Sequence, residues 1–205
     1  HSLTNLLSGF ALQRRDELLA FLERRENKEL KAEWVDISNG PVASSTENFL
    51  YYLLKKYQQS SEGRHLIDEQ QKNELNSCIH RVPSEQYFDV EAQLIDLARL
   101  NPQDFDPRLR QQDWSWLTQS KAVLINIDYP LGMGAYNLLV KIGEHAYPLL
   151  GVYVMGKAAT LNGRMGDVMI PNVVQDEHSE NTYLFQNAFT ASDIAPYLLF
   201  GTVLD

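Results

Sequence analysis

The chain has 205 residues, of which 44% are hydrophobic and 22% are charged, a composition typical of a globular protein with a buried core. Its net charge of −9 argues against a nucleic acid polymer as partner, because phosphate backbones are bound by concentrated basic surfaces. The only cysteine, Cys78, excludes an internal disulfide framework, and no apolar run approaches the roughly 20 residues that cross a bilayer. We therefore expect a soluble, cytoplasmic protein that does not bind membranes.

Residues 1–118 predict a helical N-terminal extension, because apolar side chains recur there every three or four positions. Most of the charged side chains also lie in this region, as is typical of solvated helices. A turn is indicated at residues 38–41, and Asn101-Pro102 ends the last helix. The predicted helices cover residues 3–22, 45–57, 65–80 and 84–101.

Residues 119–205 change to short apolar runs that are typical of buried strands. A strand, a helix and a second strand within about 35 residues form a βαβ unit, which implies parallel strands joined by a right-handed crossover. The sequence therefore predicts an α/β domain behind the helical extension. Its predicted elements are strands at residues 122–127, 150–155 and 167–170, a helix beginning at Gly132, and further strands at residues 182–185 and 202–204.

Two glycine-containing turns, Gly132–Gly134 and Gly156–Ala159, follow the first two predicted strands. In a parallel sheet both turns would lie at the carboxyl edge, where open α/β folds bind ligands. The start of a helix also presents backbone N–H groups to an anion. Alternatively, the glycines only permit tight turns and close packing of a helix on the sheet. The spacing leaves both interpretations open, since a full G-x-G-x-x-G motif is missing.

Three pieces of this region together resemble the nucleoside phosphorylase/nucleosidase family. They are Gly132-Met-Gly134, Gly156-x-Ala-x-x-Leu161 and Gly166-Asp-Val-Met-Ile-Pro171, and their order and spacing agree from residue 121 to about residue 175. Residues 175–178 also loosely resemble the AMP nucleosidase branch. The resemblance implies the first half of a three-layer α/β/α sandwich. It also implies cleavage of an N-glycosidic bond, by phosphate in phosphorylases and by water in nucleosidases.

By this resemblance, Met133 would pack on the ribose, and the two turns would surround the phosphate or the attacking water. The sequence departs from phosphorylases at Val154, where an Arg is usual, and at Lys157, where a Ser or Thr is usual. Lys157 is either a point charge for a phosphate, without the bidentate geometry of Arg, or a solvated lysine. The resulting ligand-binding residues are Gly132, Met133, Gly134, Gly156, Lys157, Ala158, Ala159 and Glu177.

The resemblance predicts a nucleosidase-like hydrolase of a purine nucleoside or nucleotide, with this chain supplying the ribose and nucleophile side of the pocket. In the family, other functional residues come from the second half of the domain, which we expect beyond Asp205, so the catalytic residues are not identified. No cofactor or metal site is expected, phosphate stays open as an additional ligand, and a homo-oligomer is implied. The alternative is a catalytically inactive nucleotide-binding or protein-interaction module on the same fold. The unusual Lys157, Ala159 and Thr160 favour this alternative.

Three polar residues near the third predicted strand also have structural interpretations. Asp167 is expected to accept hydrogen bonds from backbone N–H groups at the turn into that strand. Glu177 and His178 follow the strand and either reach a ligand or lie in a surface loop.

Overall fold

The protein is described by a computed structural model that covers residues 3–24, 28–40, 44–84, 90–157, 159–198 and 201–204. Its fold is mixed α/β, with helices and small sheets. The chain divides into two compact units, residues 1–148 and 149–205. The predicted boundary between residues 118 and 119 falls inside the first unit, because the strand that follows it pairs with an earlier strand of that unit.

The described residues of the first unit form eight α-helices and three strands. The helices are α1 (Leu3–Ser8), α2 (Phe10–Gln13), α3 (Arg15–Arg24), α4 (Lys28–Asn39), α5 (Ser44–Gln58), α6 (His65–Asn76), α7 (Pro107–Arg110) and α8 (Gly132–His145). The strands are β1 (Ile79–Val82), β2 (Ala92–Asp96) and β3 (Val123–Ile127). Short 3-10 helices lie at Leu97–Arg99, Pro102–Asp104 and Ser115–Gln119.

Helix α5 carries the centre of the helical core, because its apolar residues share one face. Phe49, Leu50, Leu53, Leu54 and Tyr57 recur at helical spacing, and each is at most 5% exposed. Burying one such side chain stabilises the folded state by about 1.5–3 kcal/mol. This face therefore makes a large contribution to the packing of α5. The helix predicted at residues 45–57 is confirmed. The face packs with apolar residues of α2, α3 and α6, namely Phe10, Ala11, Leu18, Phe21, Leu22 and Leu66.

The other predicted helices differ from the structure at their ends. The predicted helix 3–22 is three helices, with Gly9 in the left-handed region at φ 60° between α1 and α2. A Cβ at Gly9 would lie 2.6 Å from the carbonyl oxygen of Asp104, so a glycine is required there. The predicted helix 65–80 ends at Asn76, and Cys78, at φ 59°, turns the chain into β1. Helix α4 was not predicted.

Strands β1, β2 and β3 form an antiparallel sheet in that order. Ile79 of β1 and Ile95 of β2 lie in register with Leu124 of β3. The face with Ile79 and Ile95 is covered by a second apolar cluster, which also contains Leu7, Leu100, Phe105 and Leu117. The sheet is therefore held against α1 and the segment after β2.

The helix predicted at residues 84–101 is wrong, because residues 92–96 form strand β2. Gln93 and Ile95 both face the interior and are fully buried, with the alternation of a strand. Pairing with two neighbouring strands outweighs the local helical pattern, since β structure depends on its partners more than on propensity. Residues 85–89 of that prediction lie outside the described residues.

The second unit contains two small sheets and one short helix among its described residues. Strand β4 (Val168–Met169) pairs parallel with β7 (Val203–Leu204), and β5 (Val173–Asp176) forms a hairpin with β6 (Asn181–Leu184). Helix α9 spans Ala191–Ile194 and is followed by a 3-10 helix at Ala195–Tyr197. The strands predicted at residues 167–170, 182–185 and 202–204 are thus confirmed within a residue or two.

The strand predicted at residues 150–155 is wrong, because these residues are exposed and lack regular secondary structure. The strand at 122–127 and the helix beginning at Gly132 are confirmed as β3 and α8, but β3 pairs antiparallel with β2. The predicted βαβ unit is therefore not formed. An apolar run indicates that a segment can form a strand. Which strand it pairs with depends on residues elsewhere in the chain. The three-layer sandwich stays a prediction.

Candidate functional site

The turn between β3 and α8 holds the first group of predicted ligand-binding residues. Gly132 begins the helix with φ 53°, a left-handed conformation that favours glycine. The N–H groups of Gly134 and Ala135 bond to the carbonyl oxygen of Leu131 at 3.1 and 3.4 Å. The N–H groups that precede them in the first turn have no intrahelical acceptor, as at the helix starts that bind anions.

The turn is open to solvent. Met133 is 72% exposed and Leu131 is 79% exposed. A Cβ placed on Gly132 or Gly134 would meet no atom within 4 Å, and Gly134 does not adopt a left-handed backbone. Close packing of α8 on the sheet is therefore not the reason for a glycine at position 134.

The second predicted turn lies in the other unit, in a segment without regular secondary structure. Gly156, Lys157 and Ala159 are all exposed, and Ala158 lies outside the described residues. A Cβ at Gly156 would also meet no atom within 4 Å, and its backbone is not left-handed. The fold of this segment thus gives no packing reason for a glycine at position 156 either.

Glu177 is exposed in the turn of the β5–β6 hairpin. Asp176 shapes this turn, since its Oδ1 accepts a hydrogen bond from the backbone N–H of His178 at 3.1 Å and its Oδ2 accepts one from the Ser179 hydroxyl at 2.6 Å. These bonds explain a lowered pKa of the Asp176 carboxyl, the bond from Ser179 being the largest cause. Glu177 and His178 are therefore exposed side chains of this hairpin turn.

Asp167 has the structural role that its position indicates. Its carboxylate accepts hydrogen bonds from the backbone N–H groups of Arg164 at 2.6 Å and of Thr202 at 2.8 Å. The same bonds, that from Arg164 first, hold the pKa of Asp167 below its ordinary value. Asp167 thus connects the turn before β4 with the start of β7, and the prediction is confirmed.

Polar side chains meet at the carboxyl end of β3, next to the Gly132 turn. The side-chain amide of Asn126 donates to Oε1 of Gln93 at 2.5 Å and to Oδ1 of Asp128 at 3.0 Å. Gln93 is fully buried, and its own amide lies 3.4 Å from Oε1 of Glu91 and 3.5 Å from Oδ2 of Asp128. These bonds fix the orientation of the Asp128 carboxylate where the strand ends.

Arg81 continues this network on β1. Its guanidinium donates to both carboxylate oxygens of Glu74, at 2.5 and 2.8 Å, and to Glu91 at 2.5 Å. Glu74 is fully buried, and the hydrogen bond to it is the main reason for the raised pKa of Arg81. Since the cation and the carboxylates satisfy one another, this network stabilises the sheet.

Sequence reasoning missed this network. Its signal is that Arg81, Gln93 and Asn126 lie opposite one another in three neighbouring strands. Polar residues at inward positions of three strands indicate a buried network only once the register is known, and one sequence does not show the register.

The observations define a mixed α/β protein with an open, glycine-containing turn at the start of a helix. The chain belongs to the family of unknown function DUF6909, whose profile matches residues 1–205. No curated protein and no solved structure matches the chain.

The described part of the chain has neither a membrane-spanning helix nor a metal-binding cluster. None of its helices combines the length and the apolar character needed to cross a bilayer. Across the same residues, no group of three or more His, Cys, Asp or Glu side chains is arranged to hold a metal ion.

Proposed function

We propose that this chain supplies the ribose and nucleophile side of a pocket that cleaves the N-glycosidic bond of a purine nucleoside or nucleotide. The observation that carries the proposal is the solvent-open helix start at Gly132–Gly134, where Gly134 adds no side chain over the first backbone N–H groups of α8. Gly156 likewise adds no side chain to its turn, and a glycine lets a ligand approach the backbone closely. The likeness to the nucleoside phosphorylase/nucleosidase family is part of this proposal.

The residues of the two turns take the following roles. The first N–H groups of α8 hold an anionic group of the ligand, which the positive end of the helix dipole favours. Met133, 72% exposed, packs its apolar side chain on the ribose. In the second unit, Lys157 of the Gly156–Ala159 turn supplies a point charge to an anionic group of the ligand. Glu177 is a further ligand contact.

Water is the acceptor in this proposal. A phosphorylase usually places an Arg two residues before the glycine of the second turn, where its guanidinium binds phosphate through two parallel hydrogen bonds. Here that position is Val154, which is 84% exposed and has no side-chain donor. The loss of the bidentate donor weakens phosphate binding more than it affects a water molecule.

The proposal includes a partial three-layer α/β/α sandwich. One face of the β1–β2–β3 sheet is covered by the apolar cluster around Ile79 and Ile95. Ile125 of β3 lies on the opposite face, where it lines an open groove of about 400 Å³ with Leu138 and Ile142 of α8. Helices on both faces of one sheet are the defining feature of this architecture.

Release of free base is the direct test. The protein is incubated with AMP and with adenosine, with and without inorganic phosphate, and the products are separated by chromatography. We expect free adenine in amounts that do not depend on phosphate. If a panel of purine nucleosides and nucleotides yields no free base under either condition, hydrolysis by this protein is ruled out.

Gly134→Ala tests the site itself, and Gly143→Ala on the same helix is its matched control, since a Cβ at either position meets no atom within 4 Å. We expect Gly134→Ala to weaken AMP binding at least about ten-fold, because the methyl group displaces the ligand from the helix start. Gly143→Ala should bind AMP as the wild type does. Equal affinities of the two variants, measured by calorimetry, would contradict the placement of the ligand.

A catalytically inactive nucleotide-binding or protein-interaction module is the second candidate. The observation in its favour is apolar surface on β3 and α8, where Val123, Ile125 and Leu139 are 57%, 41% and 46% exposed. Exposed apolar patches of this kind are typical of interaction sites. Calorimetry separates the two forms of this candidate: AMP binding without base release indicates a nucleotide-binding module, whereas no affinity for nucleobases, nucleosides or nucleotides leaves protein interaction.

A further inference from the structure

A pocket lies in the helical part of the first unit, between α3, α4 and the end of α5, and is called the α3–α5 pocket below. Its volume is about 360 Å³, within the range of small-molecule sites in proteins. Phe21 and Leu22 of α3 and Leu53 of α5 line it with apolar side chains that are at most 5% exposed. Leu30 of α4 adds a fourth apolar side chain. A molecule that enters the pocket therefore contacts hydrocarbon on three helices.

Two side chains at the end of α5 give the α3–α5 pocket a polar rim. Lys56 lies on α5, Gln59 follows one turn later, and both line the pocket. The Nζ atom of Lys56 lies 5.4 Å from the ring centre of Tyr52, within the range of a cation–π contact. Within the described part of the chain, neither the Lys56 ammonium nor the Gln59 side-chain amide has a hydrogen-bond or ion-pair partner. Their N–H groups are thus available to a ligand.

The neighbouring cations differ from Lys56, because each has a carboxylate of its own. Arg24 of α3 lies 3.6 Å from the carboxylate of Glu62. Lys31 of α4 lies 3.6 Å from the carboxylate of Glu23. Although the chain carries a net charge of −9, it gives Lys56 no such partner among the described residues. A cation of this kind beside an apolar pocket favours an anionic ligand.

Ser60 also lines the α3–α5 pocket, but its hydroxyl has a structural role. It donates a hydrogen bond to the carbonyl oxygen of Tyr57 at 2.6 Å and accepts one from the backbone N–H of Gly63 at 3.1 Å. These bonds fix the turn that follows α5, and the hydroxyl has no donor left for a ligand.

We propose that the α3–α5 pocket binds a small organic carboxylate with an apolar body. The body lies against Phe21, Leu22 and Leu53. At the rim, the carboxylate accepts hydrogen bonds from Lys56 and Gln59, since a carboxylate only accepts and an ammonium and an amide both donate. The proposal does not depend on the chemistry proposed at the start of α8.

Phenylacetate is the probe, and phenylacetamide, which has the same ring without the charge, is its control ligand. By calorimetry on the full chain, we expect phenylacetate to bind about three- to ten-fold more tightly than phenylacetamide, because its hydrogen bonds are charge-assisted. Lys56→Gln should remove this preference by weakening phenylacetate binding alone. Lys55→Gln is the matched control, since Lys55 is the next residue, is also exposed and does not line the pocket. Circular dichroism confirms that both variants are folded.

Nuclear Overhauser effects from the phenylacetate ring locate the probe. We expect them at the methyl groups of Leu30 and Leu53, which line the pocket from different helices. Effects at the methyl groups of Leu138 instead would place the probe in the groove beside β3 and overturn the proposal. A wild type that binds neither phenylacetate nor hexanoate would also overturn it, as would equal affinities of Lys56→Gln and Lys55→Gln for phenylacetate.

Discussion

The hydroxyl of Tyr51 donates a hydrogen bond of 2.5 Å to Oδ2 of Asp106 in the interior of the first unit. The guanidinium of Arg108 donates to both oxygens of the same carboxylate, each at 2.8 Å. Burial raises the pKa of the Tyr51 hydroxyl, and its bond to Asp106 raises it further. The Tyr51 hydroxyl therefore keeps its proton to a higher pH than an ordinary tyrosine does, and Asp106 connects α5 with the start of α7.

Tyr51→Phe is expected to lower the free energy of unfolding by about 1.5–3 kcal/mol, because it removes a buried hydrogen bond to a charged group. Tyr52→Phe is the matched control: Tyr52 is the next residue and is 38% exposed, so its variant should unfold within about 0.5 kcal/mol of the wild type. Urea unfolding followed by circular dichroism measures both. Equal stability of the two variants would mean that the bond to Asp106 contributes nothing.

Asp106 makes stability depend on pH. Burial by itself would raise the pKa of this carboxyl, but the hydrogen bonds from Arg108 and Tyr51 hold it below its ordinary value of 3.8. The folded state therefore binds its proton more weakly than the unfolded state does. The resulting stability is complete above the unfolded pKa and is lost as the pH falls towards the lower, folded value.

We accordingly expect Asp106→Asn to be less stable than the wild type at neutral pH. As the pH falls from about 5 towards the pKa of Asp106, the variant should lose less stability than the wild type does. Asp36→Asn on the exposed side of α4 is the control and should keep the wild-type pH dependence. Urea unfolding at several pH values in this range measures the free energy of unfolding of both variants and of the wild type. A wild-type slope in Asp106→Asn would assign the acid sensitivity to other carboxylates.

Among the residues of the network around Arg81, Glu74 is the one whose substitution should lower stability most. Glu74→Gln leaves the half-buried Arg81 without its bidentate carboxylate, which should cost about 1.5–3 kcal/mol of stability. Glu144→Gln removes the exposed ion pair of Glu144 with Lys141 and should cost less than about 1 kcal/mol. Thermal or urea unfolding compares the two. A small loss for Glu74→Gln would indicate that the bond from Arg81 to Glu91 is sufficient to hold the guanidinium.

Helix α8 contains three glycines whose replacement should have opposite effects. Gly132→Ala is expected to cost about 1 kcal/mol or more, because alanine is disfavoured at φ 53°. Gly134→Ala and Gly143→Ala should instead stabilise the protein by up to about 1 kcal/mol each, since glycine is a poor helix former. Shifts of the thermal midpoint of unfolding measure all three. Destabilisation by Gly134→Ala would reveal a packing constraint at that position.

Elements with strong local patterns were predictable from the sequence. Helix α5 is an example, because one apolar face recurs over fifteen residues and is buried as a unit. Strand β2 was not predictable, since its five residues sit in a helical pattern and become a strand by pairing on both sides. The segment at residues 150–155 shows the converse, a strand-like pattern without a strand.

At the scale of the whole molecule, the exposed segment that contains Lys157 and Arg164 should be the first site of proteolysis. Both side chains are exposed, and neither lies in a helix or a strand. Brief treatment with trypsin should therefore cut after Lys157 or Arg164 before it cuts after Lys141, which lies within α8. Mass spectrometry of the fragments over time tests this order. Early cleavage within α8 would mean that the helix opens more readily than the segment.

The candidate site was predicted in part. The turn at Gly132 and the helix that follows it were anticipated, because glycines between an apolar strand and an amphipathic helix are a local signal. The hydrogen bonds from Asn126 and Gln93 that orient the Asp128 carboxylate were not predicted, since they depend on the pairing of β2 with β3. Ligand binding at Gly134 and Gly156 stays a proposal, although a Cβ at either position would meet no atom within 4 Å.

The sequence by itself determined the periodic elements, the strongest turns and the hydrogen bond of Asp167 with the N–H of Arg164, because each depends on residues close along the chain or on one repeating face. The tertiary structure decided the order and direction of the strands and the contacts of Arg81 with Glu74 and Glu91. These features depend on contacts between segments far apart in the chain. Their free energy comes from the register of neighbouring strands, which hydrophobic periodicity alone does not specify.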